Sequence, residues 1–267
     1  MRCCPLLMLM AILAPSPLAA WGRKGHRMVA RLAILDLPAG PAAWFKGQEG
    51  FVEAHSSDPD AWKDDPLEGP RHFLDMDRYP GGVPTLLGEA REKVGPAIFQ
   101  RSGQVPWVIQ DRVRDLAQAF RKGDRARVAY QASLLSHYVG DSHVPLHTVS
   151  DYDGQSTGQR GIHSRWESDL VDRMTLEPEV RPAALEPNLL QAPWRWLEQS
   201  RALVPALLAD DRASDPSAGA IRTRSDAYWV RFGQRQGRSV REQLAQAGQH
   251  TAQLILLAWT MAGQPAQ

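Results

Sequence analysis

The chain has 267 residues, with 31 basic and 30 acidic side chains, eight histidines and two cysteines. Both cysteines, Cys3 and Cys4, stand at the very start, so the body of the chain can hold neither a disulfide nor a thiolate zinc site. The even charge balance argues against a static nucleic-acid binder with a net basic surface, but phosphate chemistry through locally bound cations stays open.

The first twenty residues read as a secretory signal. Arg2 supplies the positive end, Leu6 to Leu13 the apolar stretch, and Leu18-Ala19-Ala20 a small-residue ending. The apolar stretch is shorter than the roughly 20 residues a bilayer span needs. Cleavage after Ala20 leaves residues 21–267, the length of one domain, destined for the periplasm or the exterior. The mature chain then opens on Trp21-Gly22-Arg23-Lys24-Gly25-His26 with a free α-amine. An α-amine has a pKa near 8, so a bound cation can displace its proton and use the nitrogen.

Helical periodicity begins at once. Gly25 to Leu37 carries Met28, Val29, Leu32, Ala33 and Leu35 at helical spacing and stops at Pro38. Val105 to Phe120 and Ala126 to Val139 repeat the pattern, the second with Val128, Ala132, Leu134, Leu135 and Tyr138. Trp194 to Leu208 and Val240 to Met261 follow, with Ser239 a candidate cap for the latter. Asp58 to Pro70, Tyr79 to Thr85 and Ser150 to Gly161 are rich in Asp, Pro and Gly and read as loops. The expected fold class is all-α, in a single domain.

Chemistry concentrates in a few short motifs. His137 and Asp141 lie four apart on a helix and share one face; Pro145 then ends that helix and His147 follows. His163 and Glu167 repeat the four-residue spacing after a Gly-rich loop. Upstream, Asp58-Pro59-Asp60-Ala61-Trp62-Lys63 leads to His72-Phe73-Leu74-Asp75-Met76-Asp77. One His-x-x-x-carboxylate pair is more often a local hydrogen bond than a metal site. Two of them, together with His26 and His147, point to bound metal with nitrogen and oxygen ligands. His143, between Asp141 and His147, is a candidate to orient a ligand carboxylate, while His55 and His250 read as ordinary residues.

The segments WGRKGH, PDAWK, RHFLDMD, HYVGDSHVPLH and HSRWE, in this order, resemble the S1/P1 nuclease family within the zinc-dependent phospholipase C/P1 nuclease superfamily. The resemblance runs from Trp21 to Glu167 and implies a multi-helix fold with three zinc ions at the base of a cleft. It assigns Asp60, His72, His137 and Asp141 to one ion, and His147, His163 and Glu167 to a second. Trp21 (amine and carbonyl), His26 and a bridging Asp141 are assigned to the third. Asp58 competes with Asp60; Asp60 is preferred because the family often places a basic residue three positions later, where Lys63 stands. Asp60 and Lys63 are the implied catalytic groups, Asp60 orienting the nucleophile and Lys63 adding positive charge beside the phosphate oxygens.

The ligand set is shared by nucleases and phospholipases. Phe73 after His72 and the five-residue interval from Trp21 to His26 resemble the nucleases, in which the aromatic stacks a base. Glu167, where nucleases carry Asp, the absence of a Gly-Gly-Asn segment in Ser150 to Gly161, and the string His72-Phe73-Leu74-Asp75-Met76-Asp77 resemble the phospholipases. The expected activity is hydrolysis of single-stranded DNA or RNA, with phospholipid head groups the alternative substrate and no obligate protein partner evident.

Overall fold

Trp21 is the hinge on which the first helix starts. Its backbone lies in the left-handed region (φ 39°), and α1 (Gly22–Leu35) follows, burying Val29, Ala30, Leu32 and Ala33 on one face. The helix ends before Pro38, whose ring pushes the preceding residue out of helical space. The computed structural model describes residues 21–62, 65–215 and 224–267; residues 1–20, expected to be a signal, and Lys63 lie outside the described residues.

Helices, turns and irregular segments such as 175–186 account for the rest, apart from an isolated antiparallel bridge between Leu74 and Gly103 among the described residues. Three short helices, α2 (Glu49–His55), α3 (Leu87–Val94) and α4 (Pro96–Arg101), lie in stretches without a sustained apolar stripe and were not expected from periodicity. The central pair, α5 (Val105–Arg121) and α6 (Arg125–Ser142), matches the periodic segments within a few residues. The Asp124 carboxylate caps α6 by accepting the Arg127 N–H at 3.0 Å.

Nearly all of α6 from Val128 to Ser142 is buried, because α1, α2, α5 and a long final helix pack around it. A helix enclosed on every side needs apolar or small residues all round, which Ala129, Ala132, Ser133, Ser136 and Gly140 supply. His137 and Asp141 are therefore carried on the most enclosed rod in the molecule.

Two expectations are corrected at the C-terminal end. The Trp194 to Leu208 segment divides into α7 (Ala192–Arg201) and α8 (Val204–Ser214), since Pro205 has no N–H to continue a helix and suits a first turn. The last helix, α9, begins at Asp226 rather than Val240 and runs to Met261; its cap is Ser225, whose hydroxyl accepts the Tyr228 N–H, not Ser239. Burial of Tyr228 and Phe232 in the core extends it past the weak pattern around Gln234 to Arg238. Where α9 crosses α1, a Cβ at Gly248 would strike the Leu32 side chain, so glycine sets their close approach.

The apolar interior falls into two clusters. One gathers Phe45, Leu116, Phe120, Leu135 and Tyr138; the other gathers Trp21, Val144, Leu146, Trp166 and Phe232. The C-terminal half of α6 stands where they meet. Among the described residues, no helix is long and apolar enough to cross a membrane.

Candidate metal centre

His137 and Asp141 face inward from α6, both fully buried, with His137 Nε2 3.3 Å from an Asp141 oxygen. The 72–74 segment reaches them as a backbone strap. Leu74 N–H donates to the His147 carbonyl (2.9 Å), Asp75 N–H to Ser102 (2.7 Å), and Val105 N–H to Phe73 (3.2 Å). The bridge partner Gly103 has φ +82°, and a Cβ there would collide with the Phe73 backbone and ring, so only glycine lets the strap close. His72 is thereby placed with Nδ1 2.9 Å from Asp141 Oδ2 and 3.0 Å from His137 Nε2.

His26, on the inner face of α1, stacks on His137 with ring centres 4.1 Å apart. Its Nε2 lies 3.6 Å from Asp141 Oδ1 and 3.9 Å from Asp60 Oδ2. The Trp21 ring is packed beside His26 against Gly140. On the far side of Asp141, His147 Nε2 and His163 Nε2 approach Glu167 Oε2 at 3.5 and 2.9 Å. His163 stands on the short helical turn Ile162–Ser164 and Glu167 on the widened π turn Arg165–Asp169 that follows it, a deformation frequent at functional sites. Arg165 between them turns away to a buried pair with Asp211.

Three groups of donors converge in this way: His26, Asp60 and His137; His72, His137 and Asp141; and His147, His163 and Glu167. The structure thus places His26, Asp60, His72, His137, Asp141, His147, His163 and Glu167 in these groups, and leaves Asp58 and His143 outside them. Asp58 is turned elsewhere, 2.8 Å from the half-exposed His55, which leaves Asp60 at the cluster.

The chemistry of this donor set fits metal ions. Bonds of about 2.0–2.1 Å in tetrahedral geometry separate ligand atoms by about 3.3 Å, close to the spacings found here. Both nitrogens of His26, His163 Nδ1 and Asp141 Oδ1 are buried without a hydrogen-bond partner among the described residues. Orphaned buried polar atoms are costly, and a cation would satisfy them.

The electrostatics run the same way. Burial, reinforced by His137, drives the His26 pKa down, so its imidazole is neutral. Burial opposes charge on Asp141, but His137 and His72 overcome it and hold the carboxyl well below its usual range. Glu167 is likewise held down against burial, by His163 and His147. Burial also works against charge on His72, yet hydrogen bonds to Asp141 and Glu68 push it up to about 9.

Some features were not foreseen. His143 does not turn to Asp141; its Nδ1 is 2.8 Å from the Val139 carbonyl and its Nε2 2.8 Å from His250 Nδ1, with His250 stacked on Trp196. A carbonyl only accepts, so Nδ1 carries the proton and the lone pair faces His250. Glu68, buried against His72 and Tyr138, also escaped notice, although it repeats the four-residue carboxylate–histidine spacing. Tyr152, 37% exposed, sets its ring edge-on to His163 at 5.5 Å. Phe73 is half-buried and belongs to neither apolar cluster.

Among solved structures, the alpha-toxin from Clostridium absonum is similar to this chain with a TM-score of 0.54 and 14% identity, over 92% of this chain and 66% of that one. The Clostridium perfringens alpha-toxin from avian strain SWCP gives a TM-score of 0.51 and 14% identity, over 90% and 64%. These likenesses concern the fold, and the chain spans less than two thirds of either toxin's length. No curated protein matches it. A sequence model described as S1/P1 Nuclease matches residues 21–177. That stretch opens on Trp21 and continues past Glu167, so it contains every donor that meets around Asp141 in this all-helical fold. The chain belongs to the S1/P1 nuclease family.

Proposed function

We propose that residues 21–267, released from a signal at residues 1–20, form an exported endonuclease that hydrolyses phosphodiester bonds of single-stranded DNA or RNA with three zinc ions. The observation that carries this reading is the convergence of three donor groups on the buried Asp141, with half-buried Phe73 next to His72. Asp60, His72, His137 and Asp141 would hold one ion, His147, His163 and Glu167 a second, and Trp21, His26 and Asp141 the third. Zinc so bound supplies an activated water near neutral pH and stabilises charge on phosphate.

The chain's own residues do the rest. Asp60, the most accessible donor at 15% side-chain exposure, orients the attacking water and takes its proton. Lys63 adds positive charge near the equatorial phosphate oxygens. Phe73 offers a face for an unpaired base, a contact worth about 1–3 kcal/mol and tolerant of sequence. A duplex keeps its bases stacked on each other, so single strands are preferred. The enclosure of Asp141 excludes bulk water from the donors.

A phospholipase reading is favoured by three features: Glu167 in place of Asp, a 150–161 loop without Gly-Gly-Asn, and the string from His72 to Asp77. Side-by-side assays of the zinc-loaded protein on single-stranded DNA, RNA and phosphatidylcholine vesicles separate the two. Nucleic-acid cleavage abolished by chelator is expected. Turnover of phosphatidylcholine with none of either nucleic acid would replace the first reading with the second.

A further inference from the structure

We propose that Glu68 is a positioning residue for His72, and that His72 meets its metal ion through Nδ1 with its Nε2–H turned to the Glu68 carboxylate. This rests on the reading of the cluster as a metal centre. It identifies the atom that ligates and the group that selects it.

Glu68 is 4% exposed and precedes the turn Gly69–Arg71, one helical step before His72. Its Oε1 accepts the Tyr138 hydroxyl at 2.6 Å and lies 3.2 Å from His72 Nε2; its Oε2 is 3.5 Å from Arg71 Nε. The approach to Nε2 is bent short of a full hydrogen bond, so it has room to tighten. On the other side of the ring, Nδ1 sits within 3.0 Å of both Asp141 Oδ2 and His137 Nε2.

Two neighbouring histidines, His137 and His147, follow one rule. His137 Nδ1 is 2.8 Å from the Ser56 carbonyl and His147 Nδ1 is 2.9 Å from the His72 carbonyl. A carbonyl accepts only, so each ring keeps its proton on the outer nitrogen and offers the inner one as a lone pair. His72 joins this pattern with the two nitrogens exchanged: the outer is Nε2 and the inner is Nδ1. Its outer partner is a carboxylate rather than a carbonyl, which makes the ring a stronger donor.

A purely architectural role for Glu68 would be served by a neutral amide, which also accepts from Tyr138. A buried carboxylate is costly unless positive charge nearby compensates it. Arg71 Nε faces Oε2 at 3.5 Å, and His72 Nε2 faces Oε1 more closely, at 3.2 Å. Tyr138, on α6, ties Glu68 to the same helix that carries His137 and Asp141.

Zinc affinity measured by competition with a fluorescent chelator tests this in the intact protein. Glu68→Gln should weaken zinc binding about 10- to 100-fold at one site, with far-UV circular dichroism and metal-free Tm near the parent's. Tyr138→Phe, which removes one bond to the carboxylate, should weaken it about twofold to tenfold. Nitrogen-15 NMR of the zinc-loaded parent should show His72 protonated at Nε2 and metallated at Nδ1. Unchanged affinity in Glu68→Gln, or metal on Nε2, overturns the proposal while the metal centre stands; a parent that takes no zinc overturns the metal centre itself. Should Glu68→Gln fail to fold, the Tyr138→Phe affinity and the parent's NMR spectrum decide.

Discussion

The Trp21 indole donates its Nε1–H to the Gly140 carbonyl at 2.6 Å, one residue ahead of Asp141. The start of the family's matching region is thereby fastened to the helix that carries two central donors. The ring is fully buried and also packs on Trp166, 5.0 Å between centres.

That fastening makes the chemical state of residue 21 consequential. If its free amine is a ligand, a protein carrying one extra residue before Trp21 offers only an amide nitrogen there, a poor donor. Such a protein should bind about one zinc fewer per chain than one beginning at Trp21, by elemental analysis after dialysis. Equal metal content in both forms would remove the amine from the ligand set.

The two aspartates of the 58–60 turn should part company on substitution. Asp60 Oδ2 is within 3.9 Å of His26 Nε2, while Asp58 is paired with His55 away from the cluster. Asp60→Asn should lower kcat/KM on single-stranded DNA by on the order of 100-fold, the scale expected when a general base is lost. Asp58→Asn should cost less than about threefold, since a half-exposed pair is worth at most about 1 kcal/mol. The reverse ranking would exchange their roles.

Acid should loosen the fold through the His143–His250 pair. Burial holds His143 neutral down to about 4, and burial together with the nearby His143 holds His250 neutral down to about 2. In the unfolded chain both take protons near 6.5. The unfolded state therefore binds more protons below pH 6.5, so stability is fully present above that pH and falls steadily as pH drops toward 4. His250→Phe keeps a ring against Trp196 but removes one titrating group and the donor to His143. It should be less stable than the parent by about 1–3 kcal/mol at pH 7.5, with the gap narrowing by pH 4.5 in urea titrations. A gap that stays constant would show that the pair does not govern acid sensitivity.

Much of the site was legible in the residues because its motifs are local. A four-residue interval on a helix puts His137 and Asp141 on one face whatever surrounds them, and His163 with Glu167 likewise. The strong apolar stripes of α1, α5 and α6 were legible for the same reason. Glu68 with His72 has that interval too, yet it falls in a Pro- and Gly-rich stretch where no helix was expected, so the pairing carried no signal.

The chain alone determined the donor types, the absence of thiolate chemistry in its body, and the helical class. Only tertiary structure decided that Asp60 rather than Asp58 stands at the cluster, that His143 turns to His250 instead of Asp141, and that α9 begins at Asp226. The reason is physical. Which way a side chain turns depends on what distant segments leave for it, such as the Ser56 carbonyl beside His137 or the Trp196 ring beneath His250, and no local period encodes such partners.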